Sequence, residues 1–149
     1  MNETDGKALA SLSKWGEPQS QWSQDRPNTF TNVFGVVDDQ GKTIAGAHVE
    51  LVVFVSPYLG QVKYVFSLMK VEHGIPSRAY QLEINGRKGL KPTDHAYSHE
   101  HYGGERAGRK PADVSWANLS FDGAVELFCE RCHLTLTEKL SHYSGLTLK

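Results

Sequence analysis

Three of the chain's seven histidines, His95, His99 and His101, fall within residues 86–110. The same segment carries Arg87, Lys88, Lys91, Arg106, Arg109 and Lys110 against Asp94, Glu100 and Glu105, a net charge of +3. These residue types suit the metal-independent cleavage of RNA. That reaction needs a base for the 2′-hydroxyl proton, an acid for the leaving 5′-oxygen, and cations for the charge on phosphorus. Histidine serves as acid or base near neutral pH, and arginine clamps phosphate with two parallel bonds. His99 and His101 are the leading acid and base candidates, with His95 as a third. Glu100 and Tyr102 are expected to support them. The six cations are expected to bind phosphate or an acidic partner surface. The plain alternative is a solvated, glycine-rich surface loop, since Gly86 to Ala117 contains five Gly and two Pro.

A second chemistry is metal binding. His99 and His101, two apart on an extended segment, point the same way. With Cys129 and Cys132 they supply the ligand types of a closed zinc site. Both cysteines, however, fall inside an amphipathic helical pattern, where a cysteine behaves as a small hydrophobe. The expectation is therefore no cofactor, with structural zinc as the alternative. Cys129-Glu130-Arg131-Cys132-His133 also matches the c-type haem attachment pattern. That chemistry requires export, and the polar stretch Met1 to Trp15 lacks the apolar run of a secretory signal.

These residues sit in a chain of 149 residues, 39% hydrophobic and 22% charged, with a net charge of −1. The length suits one domain. The apolar fraction excludes a wholly disordered chain. Near-neutrality argues against a generic polyanion binder, whose affinity rests on many phosphate contacts. No apolar run reaches the ~18 residues of a membrane helix. A cytoplasmic protein without a membrane partner is expected.

The elements that would position the segment are legible in part. Thr29–Val37, Thr43–Val55, Gln61–Val71 and Arg78–Asn85 alternate or run apolar, with turn residues between them. They predict a four-stranded antiparallel meander. Ser120 to Cys132 places Phe121, Val125, Phe128 and Cys132 on one helical face, with Ser120 as N-cap. The expected fold is α+β: the meander covered by one C-terminal amphipathic helix, with an N-terminal arm. The predicted organisation is an arm over 1–28 and a single domain over 29–149. Within the domain, 29–86 form the sheet, 87–117 the His/basic loop, 118–134 the helix and 135–149 a tail. Trp15 and Trp22 are expected to anchor the arm, because tryptophan is costly to leave wet. Val52, Phe54, Val65 and Met69 form an apolar patch on the second sheet face, expected to be covered by the arm or the tail.

The order of features, a meander, then Ser98-His99-Glu100-His101-Tyr102-Gly103, then a helix over Phe121 to Leu134, resembles that of the TumE-like toxins of bacterial toxin–antitoxin pairs. The resemblance covers residues 45–134. It implies a context of mobile elements or phage conflict and a cognate antitoxin. Two functions are then expected in competition. The first is an RNase-type toxin acting through the His/Arg-rich loop on RNA. The second is a non-catalytic inhibitor, anti-CRISPR-like, that blocks a host defence nucleoprotein or enzyme.

Overall fold

The computed structural model describes residues 1–111 and 115–146. A helix α1 (Glu3–Ser11) is followed by the short strands β1 (Lys14–Gly16) and β2 (Ser23–Arg26). Four long strands come next: β3 (Thr29–Val37), β4 (Thr43–Val55), β5 (Val62–Glu72) and β6 (Ile75–Asn85). Then come β7 (His99–Tyr102), a 3-10 turn (Ser115–Asn118), α2 (Phe121–Cys132), β8 (Leu134–Leu136) and a second 3-10 turn (Tyr143–Leu146).

All eight strands join one curled, mixed sheet, a half-barrel, in the order β7-β6-β5-β4-β3-β1-β8, with β2 also paired to β3. Neighbours are antiparallel except β1 and β8, which run parallel through Lys14↔Leu134 and Gly16↔Leu136. This overturns the expected four-stranded meander under one helix. The four predicted runs are only the middle of the sheet, and two helices pack with it. The residues read as an N-terminal arm instead supply α1, β1 and β2, with β1 and β2 sharing the outer edge of β3. Residues 112–114 of the predicted loop and 147–149 of the predicted tail lie outside the described residues.

The concave face holds the core. Phe34, Val49, Leu51, Val53, Phe66, Leu68, Leu82 and Ile84 alternate inward from β3 to β6 and are buried. The inner face of α2 closes it, with Phe128 edge-on to Phe66 at 5.9 Å and Phe121 beside Tyr64 at 5.8 Å. Ser120 caps α2, its hydroxyl accepting from the Gly123 amide at 3.0 Å. Trp22 reaches the same core, edge-on to Phe121, with its indole donating to the Ser141 carbonyl at 2.8 Å.

The first helix lies against β6 and β7 beside α2, with Leu9 and Ala10 joining the core. A β-carbon on Gly6 would stand 2.5 Å from the Ala79 carbonyl and from the Gly103 amide, so only glycine permits this approach. Both helices end on one buried lysine. Lys14 is fully buried, and its ammonium donates to the carbonyls of Ala10, Leu12 and Cys132. Burial pushes its pKa down to about 8. The carbonyl-rich ends of two helices are satisfied by a single cation.

Among the described residues, no helix covers the convex face. Val52, Val65 and Met69 are half-buried, and Phe54 is 42% and Val33 46% exposed. Among the described residues, the cover expected from the arm or tail is absent, because the described parts of those segments pack into the concave core and the sheet edge.

Candidate functional site

The site is built by strand alternation on β7. Its register with β6 pairs His101 with Gln81, Glu100 with Leu82, and His99 with Glu83. Leu82 points into the core, so Glu100 and Tyr102 face inward and His99 and His101 face the convex side. Behind β7 the chain folds back, and Glu100 pairs with Arg109 through two backbone hydrogen bonds of 2.9 and 2.7 Å. The connecting turn is pinned by Arg78, which donates to the Gly103 carbonyl at 2.9 Å and the Glu105 carbonyl at 2.6 Å.

On the convex side this hairpin walls a cleft of about 590 Å³. His95, His99, His101, Arg106 and Lys110 line it, with Lys63 and Glu83 from the sheet. The two histidine rings of β7 stand edge to face, 4.8 Å between centroids.

Their surroundings differ. The His99 Nδ1 lies 2.7 Å from the Tyr97 carbonyl, which can only accept, so Nδ1 carries a hydrogen. Its Nε2 meets the Glu83 carboxylate at 3.1 Å, and the other Glu83 oxygen is 3.3 Å from the Lys63 ammonium. Gly108 gives the ring room, because a β-carbon there would stand 2.4 Å from the His99 Cδ2. His101 is 8% exposed, and its buried Nδ1 has no hydrogen-bond partner among the described residues. Burial first, then Arg78 and His99 nearby, hold its pKa below the usual histidine value. Its surroundings favour the neutral imidazole, and its buried Nδ1 is unpartnered.

The other candidates are placed elsewhere. The Glu100 carboxylate accepts from the Tyr80 hydroxyl at 2.8 Å and from the Arg131 guanidinium at 3.0 Å, beneath the sheet. Tyr102 lies between Lys7 and Arg109, 5.6 and 5.4 Å from its ring centroid, on a separate surface beside α1 and α2. Arg109 is also tied to Glu105 at 3.2 Å and to Glu3. Arg87, Lys88 and Lys91 lie outside the cleft lining. The structure thus brings together three histidines and two of the six cations of the segment, Arg106 and Lys110. Lys63, Glu83 and Arg78 were missed. Lys63 and Glu83 alternate with core residues of β5 and β6, which places them on the convex face without naming a role.

The four zinc candidates do not meet. Cys132 is fully buried in α2, Cys129 is half-buried, and burial pushes both thiols up, Cys129 to about 11. His99 and His101 point to the opposite face. Among the described residues, no three His, Cys, Asp or Glu side chains group to hold a metal ion. No helix of the described residues is long and apolar enough to cross a membrane.

Comparison with protein-family models, curated proteins and solved structures returned no match.

Proposed function

We propose that the protein is a metal-independent ribonuclease that acts through the convex cleft. One observation carries the reading. Two adjacent histidines, one largely buried with an unpartnered Nδ1 and one held against a carboxylate, share a cleft with Arg106 and Lys110. Acid and base work is divided in this way where neighbouring titratable groups stand in different environments.

His101 takes the proton from a ribose 2′-hydroxyl. The 2′-oxygen attacks phosphorus, and the bond from phosphorus to the 5′-oxygen breaks. His99, oriented by the Tyr97 carbonyl, gives its Nε2 proton to that oxygen as the oxygen displaces Glu83. The products are a 2′,3′-cyclic phosphate and a 5′-hydroxyl, so the proton lost and the proton gained balance. Arg106 and Lys110 stabilise the charge on the phosphoryl oxygens. In the toxin setting implied by the TumE-like resemblance, a cognate antitoxin would block this cleft.

Incubating purified protein with single-stranded RNA and analysing the ends tests the reading. Wild type should yield cyclic phosphate ends in the presence of EDTA. His101→Ala and His99→Ala should each lower the rate about 100-fold or more. Intact RNA with wild-type protein, or cleavage by either variant at the wild-type rate, rejects it.

A further inference from the structure

A second cavity, about 330 Å³, adjoins the cleft on the convex face, and the two share Lys63 and Asn85 as walls. Its lining includes Phe54, Asn28 and Gln61. The Phe54 ring stands 42% exposed on the sheet face. The side-chain amides of Asn28 and Gln61 make no hydrogen bond among the described residues. By contrast, the Asn85 amide is occupied, donating to the Ala96 carbonyl at 3.2 Å and accepting from the Arg87 amide at 3.0 Å.

Strand register sets the distance between the cavity and the histidines. Phe54 pairs with Lys63 and Lys63 with Asn85, forming one row across three strands. Glu83 and His99 form the neighbouring row. At about 4.8 Å per strand and about 7 Å per pair of residues, Phe54 lies about 14 Å across and about 7 Å along from His99. Lys63 stands between them, where a phosphate of a strand crossing that gap would pass.

We infer that this cavity is a base-binding subsite. A single-stranded RNA leaves the cleft past Lys63, stacks an unpaired base on Phe54 about two nucleotides from the cleaved bond, and offers that base's edge to Asn28 and Gln61. This rests on the ribonuclease reading and names its substrate as single-stranded. Aromatic stacking tolerates any base, while the two free amides, each both donor and acceptor, supply a preference among bases. A duplex cannot use the subsite, because its bases are already stacked and paired.

The test uses a fluorescent, uncleavable 2′-O-methyl oligonucleotide and fluorescence anisotropy, so binding is read without catalysis. Phe54→Ala should weaken binding about tenfold or more, and Phe54→Trp should restore it. A blunt RNA duplex should not compete. The ring is surface-exposed, and matched thermal melts confirm that both variants fold. If wild type cleaves RNA but Phe54→Ala binds the oligonucleotide as tightly as wild type, the subsite assignment falls and the ribonuclease reading stands. If Phe54→Ala loses only self-association in sedimentation, with RNA binding unchanged, the face is a contact between copies and the assignment is again overturned. If wild type neither binds nor cleaves, both fail.

Discussion

The hydroxyl of Tyr80 donates to the Glu100 carboxylate at 2.8 Å, and together with Arg131 it holds the inward side of β7. Tyr80 is fully buried on β6, and Glu100 is drawn inward to it and to Arg131. Strand alternation then sends His99 and His101 outward together. A slip of one residue would bury both histidines and expose Glu100.

Removing that hydroxyl tests the claim. Burial, followed by the adjacent carboxylate, pushes the Tyr80 pKa far above its usual range, so the group stays a neutral donor. Tyr80→Phe should cost about 1–2 kcal/mol in urea denaturation, because Arg131 still holds Glu100. The β7 amides should also exchange faster with solvent. Unchanged exchange at His99 and His101 would refute the facing role.

Stability should depend on pH through His101. Its folded-state pKa lies below the ordinary ~6.5, so the unfolded chain binds a proton that the folded chain refuses. Stability is therefore full above about pH 6.5 and declines as pH falls below it. Comparing urea midpoints at pH 7 and pH 5.5 checks this. In His101→Gln the difference should shrink, and an unchanged difference would place the titrating group elsewhere.

Gly108→Ala should act on the cleft more than on the fold. The added methyl meets the His99 ring at 2.4 Å and forces it off the Tyr97 carbonyl. RNA cleavage should drop about tenfold or more, with a melting temperature close to wild type. Full activity in this variant would show that the orientation of His99 is not needed.

Much of this arrangement was legible in the chain. The β3–β6 strands and α2 carry period-2 and period-3.6 apolar patterns that single-sequence reading detects. The strands β1 and β2 carry none. The first has three residues, one of them a buried lysine, and the four residues of β2 are all exposed. They are strands because β3 and β8 offer them edges, which is a tertiary fact. His-x-His placed both imidazoles on one side correctly. The neighbours Glu100 and Tyr102 were assigned to the same chemistry because proximity in sequence conceals alternation. The partner of Glu100, Arg131, stands 31 positions away and leaves no local trace.

The parallel pairing of β1 with β8 has a temporal consequence. Lys14 finds its Cys132 carbonyl 118 positions further on, and Trp22 its Ser141 carbonyl 119 positions further on. Contacts of such separation form late, after most of the loop-closure entropy has been spent. On the ribosome, α1 cannot settle behind the histidine hairpin with its own end capped until α2 has emerged. The helix behind that hairpin is thus locked in place only once α2 and β8 have followed it. Any agent that holds β8 away from β1 would keep that lock open.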